Sequence, residues 1–397
     1  MSWAAWGTWH HFCVPLARIG LLLLAGAVGA VMLGAFPTQA AGWDVLAATM
    51  TRTAPVLAFA AFVTALAELA RDAGVFTSAA ERLARLARGQ RPLLFAAIIV
   101  LAVSATTFLS LDTTAVLLTP VVIALAAHTG SQPVPFAMAT VWLANTASLT
   151  LPVSNLTNLL AVDRHPVSPL TWLRDFGPVS AAAILATCGV LWVIFHRQVR
   201  GRFELSGSTP IKDEPLWWIT VCVLAVALPL LVTPIPPWIT AGVAAAVLTA
   251  ATLVRRVGSP RAMVRHIPWR VLLFAAGLFA VAGVAEHVWL AHLAASIGAP
   301  TGPMVAAGGA VLANLVNNLP AYLALEPFAT SAYLSGALLI GVNVGPLITP
   351  WASLATLLWH RQLVRHGVEV PWVRYMAWGA VCVPAVMGAA LLVHAAL

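Results

Sequence analysis

Two polar, proline-containing segments, near residues 145 and 343, carry the side chains that could bind a solute. Aligned without a gap at an offset of 198, Asn145 matches Asn343 and Pro152 matches Pro350. Asn, Ser and Thr side chains donate and accept hydrogen bonds, and a broken helix adds free backbone N–H and C=O groups. A pair of interrupted apolar segments in corresponding halves of a chain is typical of a transporter's binding site.

Twelve polar residues in and near these segments are candidates for contacting the solute. They are Asn145, Ser148, Ser154, Asn155, Thr157, Asn158, Asn317, Asn318, Asn343, Thr349, Ser353 and Thr356. The alternative is that these side chains only hydrogen-bond one helix to another, as Ser, Thr and Asn also do inside membranes. Their clustering at matching places favours the binding role.

Asp112 is an acid at the centre of an apolar segment. Ionisable residues at membrane depth are expensive, and they often carry protons or ions. Asp112 is therefore the candidate for proton coupling. The alternative is a helix N-cap, because Asp-Thr-Thr stands directly before an apolar run, and the two roles are compatible. Glu326, close to the second polar segment, is a secondary candidate.

The composition places these residues inside a membrane. The 397-residue chain is 61% hydrophobic and 9% charged, whereas a soluble domain carries about 25% charged residues. Many apolar runs are long enough to cross a bilayer core of about 30 Å. The fold class is therefore an all-α polytopic membrane protein. The net charge of +8 is explained by basic loops that set the membrane orientation, and no nucleic-acid partner is expected.

The apolar runs predict nine spans and two re-entrant hairpins. The spans cover roughly residues 14–36, 45–70, 92–128, 170–195, 215–233, 237–254, 271–289, 303–326 and 372–395. The hairpins cover residues 134–162 and 332–360, and the third and eighth spans should break at their polar centres. Short amphipathic helices are expected along the membrane surface over residues 78–88 and 290–297.

The arginines predict an orientation. Seventeen of the 21 Lys and Arg residues lie between spans two and three, four and five, and six and seven, or after the second hairpin. One orientation places all of them in the cytoplasm, with the N-terminus inside and the C-terminus outside. The opposite loops are then those near residues 37–43, 129–135, 234–237 and 290–302. With this parity, the first hairpin enters from outside and the second from inside.

The same parity divides the chain into two inverted repeats. Residues 1–44 form a cytoplasmic N-terminal segment and the first span, and residues 45–196 form repeat one. Residues 197–236 form a cytoplasmic linker and a connecting span, and residues 237–397 form repeat two. Inverted repeats of this kind bring the two hairpin tips together at one site near the membrane midplane.

Several chemistries have no motif in the sequence. Four cysteines, Cys13, Cys188, Cys222 and Cys382, stand singly in apolar runs without metal-binding spacing. The chain contains no phosphate-binding loop and no nucleophile elbow. We therefore expect neither an enzyme nor an ATP-driven pump within this chain, and no cofactor or metal.

Four segments resemble a known family. The segment Ala-Asn-Thr-Ala-Ser-Leu-Thr-Leu-Pro-Val-Ser-Asn-Leu-Thr-Asn, from Ala144, resembles the first hairpin of the arsenite efflux permeases of the ArsB type. The segment from Asn343 resembles their second hairpin, and those from Leu111 and Val316 resemble their broken helices. The resemblance covers roughly residues 45–365 and implies membership of the ion transporter superfamily.

The resemblance implies export of arsenite and antimonite in exchange for protons across the bacterial inner membrane. It also implies an ATPase subunit as partner in some systems, and a homodimer. One departure concerns the first break, where this chain has Leu111-Asp112-Thr113 and the family has Asn-Asp-Gly. The acid is kept while its neighbours differ, which affects the substrate more than the fold.

Three functions remain open at this point. Arsenous acid is a neutral trihydroxide, which suits uncharged hydroxyls and amides, and neither polar segment carries Lys or Arg at its tip. The second function, within the same superfamily, is a sodium- or proton-coupled transporter of a dicarboxylate or sulfate, or a sodium/proton antiporter, since helix N-termini alone can hold anions. The third is a non-transporting membrane protein, which would have no polar cage at the midplane.

Overall fold

The computed structural model describes residues 16–204, 211–290 and 300–397, and regular structure in these ranges is helical apart from one isolated β-bridge. The α-helices in these ranges are α1 Leu16–Met32, α2 Gln39–Asp72, α3 Val75–Leu86, α4 Arg91–Leu109, α5 Leu111–His128, α6 Pro133–Thr146, α7 Leu156–Arg164, α8 Pro169–Phe195, α9 Glu214–Leu230, α10 Pro237–Val254, α11 Pro260–His266, α12 Trp269–Ala285, α13 Gly302–Val316, α14 Asn318–Leu325, α15 Ala332–Val344, α16 Leu354–Arg365 and α17 Trp372–Ala396. The start of the predicted N-terminal segment and most of the helix predicted over 290–297 lie outside the described residues.

The helices have the length and composition that a membrane requires. Seven of those described are long and apolar enough to cross one. The longest, α2, has 34 residues and rises about 51 Å, which exceeds a bilayer core of about 30 Å. It begins at Thr38, whose Oγ1 accepts a hydrogen bond from the Ala41 N–H at 3.1 Å. The all-α polytopic fold predicted from the sequence is confirmed.

The arginine-rich segments lie together at one end of the helix bundle, which we call the basic face. Gln90 pairs with Arg202 in the isolated bridge, and the His266 ring is 3.2 Å from the Asp72 carboxylate. The segments that meet at this face are 71–91, 196–204, 211–217, 255–268 and 361–374. The clustering predicted from the sequence is therefore present, and we call the other end of the bundle the opposite face.

An ion pair at the basic face ties α9 to α10. Asp213 caps α9 by accepting a hydrogen bond from the Leu216 N–H at 2.9 Å, and the Arg255 guanidinium lies 2.8 Å from the same carboxylate. The hydrogen bond from Arg255, with that from Leu216, holds the pKa of Asp213 below its usual range. The carboxylate consequently stays charged at neutral pH and continues to cap the helix.

Helices α4 and α5 form a re-entrant hairpin that starts and ends at the basic face. The chain reverses at Ser110, which has φ 84°. The Thr106 and Thr114 hydroxyls lie 3.2 Å apart across the turn, although eight residues of continuous helix would separate them by about 12 Å. Arg91, which begins α4, donates to the Gly130 carbonyl just beyond α5 at 3.0 Å. The prediction that residues 92–128 cross the membrane as a broken span is therefore wrong.

Helices α13 and α14 form a second re-entrant hairpin, which starts and ends at the opposite face. The chain reverses at Asn317, with φ 130°. The two helices pack against each other, with Leu325 beside Gly308. Glu326, which directly follows α14, is 3.0 Å from Arg52, and Arg52 lies about 30 Å along α2 from Asp72 at the basic face. Residues 303–326 therefore do not form the predicted span.

The segments predicted as hairpins are instead broken crossings. Helix α6 begins at the basic face, next to the end of hairpin α4–α5, and α7 ends at the opposite face, where Asp163 pairs with Arg52. Between them, residues 147–155 form two 3₁₀ turns, Ala147–Leu149 and Pro152–Ser154. The hairpin predicted over 134–162 is thus corrected to a crossing. The loop near 129–135 is corrected from the opposite face to the basic face.

Helices α15 and α16 form the second broken crossing. The Tyr333 carbonyl at the start of α15 is 2.9 Å from His394 Nε2, at the end of α17. The ring of His360 in α16 stacks on Trp372, at the start of α17. The pair α15–α16 therefore runs from one end of α17 to the other, and the hairpin predicted over 332–360 is a crossing interrupted by residues 345–353.

The numbers of crossings and hairpins agree with the prediction, although two predicted spans are hairpins and the two predicted hairpins are crossings. The described chain contains nine crossings and two hairpins, which enter from opposite faces as inverted repeats require. The proposed repeat boundaries, 45–196 and 237–397, remain predictions. Hairpins α4–α5 and α13–α14, both broken crossings, α8 and α17 share one hydrophobic core. Helices α2, α9 and α10 form a second core, and α1 packs on α2 and α12 in a third.

Candidate functional site

The two hairpin tips and the two crossing breaks meet at one cavity inside the bundle. Helices α5, α7, α14 and α16 all begin at this cavity, so four helix N-termini point their backbone N–H groups towards it. About 30 Å³ of it is open to the centre of a water-sized sphere. It is lined by Leu111, Asp112, Asn155, Leu156, Asn317, Asn318, Leu319 and Leu354, and by Val271, Phe274 and Ala275 of α12. We call it the central cavity.

Asn343 joins the two broken crossings. Its Oδ1 accepts hydrogen bonds from Asn155 Nδ2 at 2.7 Å and from the Thr157 hydroxyl at 3.0 Å. Its Nδ2 donates to Asn158 Oδ1 at 2.9 Å. All four side chains are buried, so each bond replaces a costly unpaired polar group. The sequence prediction that the two polar segments come together is consistent with this network.

The polar side chains of the first break mostly satisfy backbone groups. Asn158 Nδ2 donates to the carbonyls of Ser148 and Leu151 at 2.6 and 3.0 Å. The Ser154 hydroxyl donates to the Thr107 carbonyl in hairpin α4–α5 at 2.8 Å. Among these residues, Ser148, Ser154 and Asn158 do not line the central cavity. Their arrangement fits the alternative of hydrogen bonds within the protein better than direct solute contact.

Asn314 fastens the second break to hairpin α13–α14. Its Nδ2 donates to the Gly345 carbonyl at 2.8 Å, and its Oδ1 accepts from the Thr349 N–H at 2.8 Å. Its own carbonyl accepts from Thr349 Oγ1 at 2.9 Å and from Trp351 Nε1 at 2.8 Å. Asn314 is not among the solute contacts predicted from the sequence, although its position three residues before Asn317 is a usable signal. The predicted residue Thr349 is engaged here and does not line the cavity.

Asn317 and Asn318 carry the tip of the second hairpin. Asn317 Nδ2 donates to the Trp351 carbonyl at 2.9 Å, and the Asn318 N–H donates to the Ala352 carbonyl at 2.8 Å. Asn317 also caps α14, since its Oδ1 accepts from the Leu319 N–H at 3.3 Å. Both residues line the central cavity, so they hold the break and can also present amide atoms to a solute.

The two breaks are not equivalent in their hydrogen bonding. Asn145 occupies the position that matches Asn343, yet its Oδ1 is buried without a partner. The buried Ser353 hydroxyl likewise has none. Thr356 has a partner, because its hydroxyl lies 3.3 Å from the Tyr375 hydroxyl. None of Asn145, Ser353 and Thr356 lines the central cavity, so their proposed contact with the solute remains a prediction.

Asp112 lies in the first turn of α5, at the edge of the central cavity. Its Oδ1 is buried without a hydrogen-bond partner. The N-cap of α5 is Ser110, and that helix start has no side-chain capping bond, so the capping role considered for Asp112 is not present. A carboxyl group with one buried, unpartnered oxygen beside a helix N-terminus can exchange a proton and can meet a polar solute.

A larger cavity connects Asp112 with the basic face. About 200 Å³ of it is open to the centre of a water-sized sphere. Its inner end is lined by Ser110, Asp112 and Thr113, and its mouth by Glu68, Arg265 and His266. Its wall is apolar and includes Phe59, Ala60, Val63, Leu156, Val271 and Leu358. We call it the access cavity, because it links the site to one face of the bundle.

The mouth of the access cavity contains a cluster of charges. Ligand atoms of Glu68, Asp72 and His266 lie within 4.8 Å of one another, which is a possible arrangement for a metal ion. Arg71, however, lies 2.6 Å from the Glu68 carboxylate and 2.8 Å from the Asp72 carboxylate. This guanidinium already balances much of the negative charge, so we interpret the cluster as a network of ion pairs.

Comparison with known proteins assigns the family. The family model described as "CitMHS: Citrate transporter" matches residues 5–356. The chain belongs to the CitMHS family of membrane transporters. This membership, with the polytopic fold, makes the chain a multi-pass transporter, and the hypothesis of a non-transporting membrane protein is dropped.

Curated relatives of this CitMHS member also confirm the resemblance to the arsenite permeases. The chain is 31% identical over 340 residues to the "Arsenical pump membrane protein" of Yersinia enterocolitica, which covers 78% of this chain and 79% of the relative. The protein of the same name from Escherichia coli is 29% identical over 347 residues, with the same coverage. A "Putative arsenical pump membrane protein" from Bacillus subtilis is 25% identical and covers 92% of this chain and 89% of its own length.

A solved structure shares the fold of this CitMHS member. The Alcanivorax borkumensis YdaH transporter superposes with a TM-score of 0.60, covering 96% of this chain and 97% of that chain at 16% sequence identity. At this identity the likeness concerns the fold alone.

Proposed function

We propose that this transporter exports arsenite and antimonite as neutral trihydroxides, in exchange for protons. The observation that carries the proposal is the composition of the central cavity. It combines Asn155, Asn317, Asn318 and four helix N-termini with the single carboxyl group of Asp112. A neutral solute with three hydroxyl groups can hydrogen-bond to amides, backbone N–H groups and one carboxylate without bringing a charge into the membrane.

Asp112 is the proposed proton-carrying residue. The access cavity links its carboxyl group to the basic face, from which the solute would enter. Binding of the solute at an ionised Asp112 and binding of a proton at the same group would exclude each other, and such exclusion couples two opposite fluxes. The names of the curated relatives support the solute class.

The alternative is a sodium- or proton-coupled transporter of a small anion, such as a dicarboxylate or sulfate. The family's description as citrate transporters favours it, and so do the four helix N-termini, because backbone N–H groups bind carboxylates. Asp112 argues against it. Among the described residues, no cationic side chain lines the central cavity, so a di- or trianion would face the Asp112 carboxylate there without a compensating cation.

Uptake into everted membrane vesicles tests the two functions against each other. Vesicles with and without the transporter are given arsenite, antimonite, citrate or sulfate, under a proton gradient or a sodium gradient. We expect arsenite and antimonite to accumulate when the vesicle lumen is acidic, with no requirement for sodium. Sodium-dependent uptake of citrate or sulfate without arsenite uptake would refute the proposed function and support the alternative.

The orientation and partners are part of the same proposal. Because Lys and Arg concentrate in cytoplasmic loops, we place the basic face in the cytoplasm of a bacterial cell and the C-terminus outside. The basic face is then the surface on which an ATPase subunit would assemble in systems that use one. A homodimer in the inner membrane is also proposed, from the family resemblance alone.

A further inference from the structure

We propose that Arg52 is a gate residue, which closes the central cavity towards the opposite face and must release its partners during transport. The inference rests on the chain being a transporter and does not depend on which solute it carries. It concerns three charged residues outside the binding site: Arg52, Asp163 and Glu326.

Two short helices run from the central cavity to Arg52. Helix α7 has nine residues and begins after Asn155, at the cavity, while its penultimate residue is Asp163. Helix α14 has eight residues and begins after Asn317, also at the cavity, and Glu326 follows its last residue. The Arg52 guanidinium pairs with both carboxylates. One cation therefore ties together the far ends of both helices that carry cavity asparagines.

The environment of Arg52 suits a strong but breakable contact. The Glu326 side chain is only 4% exposed and also accepts a hydrogen bond from Tyr322 Oη at 3.5 Å. The Arg52 side chain is 31% exposed and that of Asp163 is 39% exposed, so water can replace these contacts when they separate. The guanidinium also lies at the C-terminal ends of α7 and α14, where helix dipoles favour a positive charge.

A second ion pair lies beside the first. Arg164, the last residue of α7, is 3.2 Å from Glu286, which directly follows α12. Helix α12 contributes Phe274 to the apolar wall of the central cavity, and α2 contributes Phe59 to that of the access cavity. Both ion pairs therefore join the wall helices to α7. Any movement that separates the wall from the site at this face must break both pairs.

The positions of the cavities show on which side of the site these ion pairs lie. The central and access cavities lie on the basic-face side of Arg52, and their mouth is at Glu68 and His266. In the described conformation the access cavity opens towards the basic face, and the ion pairs of Arg52 lie between the central cavity and the opposite face. Alternating access requires a second conformation with the reverse pattern, and the ion pairs of Arg52 stabilise the one described here.

Cysteine accessibility tests the gate. Leu354→Cys reports on the central cavity in a background where Cys13, Cys188, Cys222 and Cys382 are replaced by serine. An impermeant thiol reagent is applied to right-side-out and to everted vesicles, so each face is tested. We expect Arg52→Gln to raise the labelling rate from the opposite face at least tenfold, and Arg52→Lys to raise it less.

Arg174→Gln is the matched control for this test. Arg174 also pairs with an aspartate, Asp175, but its side chain is 78% exposed and contacts neither α7 nor α14 by any pair in the described structure. We expect this variant to label like the parent. Equal labelling rates for Arg52→Gln and Arg174→Gln would overturn the proposal. The measurement needs no solute, so it can fail while the arsenite proposal stands, or succeed if that proposal fails.

If Arg52→Gln does not fold, Asp163→Asn replaces it in the labelling test, because it keeps Arg52 paired with the buried Glu326. A cross-link tests the same contact by locking it. Arg52→Cys and Glu326→Cys are combined in the cysteine-free background and joined by a short bifunctional methanethiosulfonate reagent, which reducing agent removes. We expect transport of the solute found in the vesicle assay to stop on cross-linking and to return on reduction. Each single-cysteine variant should be unaffected by the reagent. Undiminished transport by the cross-linked protein would show that this contact does not need to open.

Discussion

At the scale of single residues, the polar side chains divide into those that hold the broken backbone and those left to meet a solute. Asn158, Ser154 and Asn314 donate hydrogen bonds to backbone carbonyls inside the protein. Asn314 also accepts one from a backbone N–H. Asp112 has a buried oxygen with no partner. The sequence predicted the right region for both groups, because polar residues in an apolar run stand out. It could not separate them, because both roles use the same residue types.

Replacing Asp112 tests the proton-carrying role. Asp112→Asn keeps the size of the side chain and loses the exchangeable charge. We expect proton-driven arsenite accumulation to fall to background, while exchange of arsenite for arsenite across the membrane continues. Asp175→Asn changes an acid on α8 whose side chain is 47% exposed, and this variant should behave like the parent. Normal proton-driven accumulation by Asp112→Asn would contradict the assignment.

Replacing Asn343 tests the contact between the two breaks. Asn343→Ala leaves Asn155 Nδ2, the Thr157 hydroxyl and Asn158 Oδ1 without their partner. Each buried polar group left unpaired costs about 1–3 kcal/mol. We expect the melting temperature in detergent to fall by several degrees and transport to be lost.

Gln132→Ala is the control for Asn343→Ala, since it removes an exposed amide at the basic face. It should leave both melting temperature and transport unchanged. Equal melting temperatures for the two variants would show that the Asn343 network contributes little to the fold.

At the scale of helices, the sequence located the four interruptions described above and predicted the wrong path of the chain through each. Breaks near Ser110, 147–155, Asn317 and 345–353 all carry polar residues, whether the chain reverses or continues. Reversal is decided by contacts far apart in sequence, such as Arg91 with Gly130 and Glu326 with Arg52. The positive φ of Ser110 and Asn317, which non-glycine residues rarely adopt, marks the tips and cannot be deduced from residue type.

The position of the loop near residue 132 distinguishes the two paths. Gln132→Cys, in the cysteine-free background, should be labelled from the same side as Arg256→Cys at the basic face. Leu397→Cys, at the end of α17, should be labelled from the other side. The path predicted from the sequence alone gives the reverse result for Gln132→Cys. Labelling of Gln132→Cys together with Leu397→Cys would therefore restore the predicted hairpin over 134–162.

Glycines allow the second broken crossing to pack closely against its neighbours. A Cβ on Gly379 of α17 would overlap the carbonyl of Leu347, in the 3₁₀ turn Gly345–Leu347. We expect Gly379→Ala to cost about 1–3 kcal/mol in stability, because a methyl group forced into a packed site displaces backbone. Melting temperature and transport should both fall.

Gly388 in the same helix has no neighbouring atom within 4 Å of an added Cβ. Gly388→Ala is therefore the matched control, and it should be as stable as the parent. If Gly379→Ala and Gly388→Ala have the same melting temperature, close packing at Gly379 does not stabilise the second broken crossing.

At the scale of the whole molecule, an apolar wall of α2 and α12 faces a polar block of hairpin tips and breaks. The polytopic class and the clustering of arginines at one face followed from composition and charge alone, because membrane insertion depends on those properties. The wall residues Val271 and Phe274 could not be selected from the sequence, since apolar residues that line a cavity look like those that face lipid. The direction in which the cavity opens is a property of one conformation and has no sequence signal.

Proton movement driven by arsenite is the most direct measurement of the central claim, that the cavity exchanges a neutral trihydroxide for protons at Asp112. Purified transporter is reconstituted into proteoliposomes that enclose a pH-sensitive dye, and arsenite is added outside. We expect protons to move out as arsenite moves in, and we expect Asp112→Asn to abolish this signal. Arsenite uptake without proton movement, or an unchanged signal with Asp112→Asn, would contradict the claim.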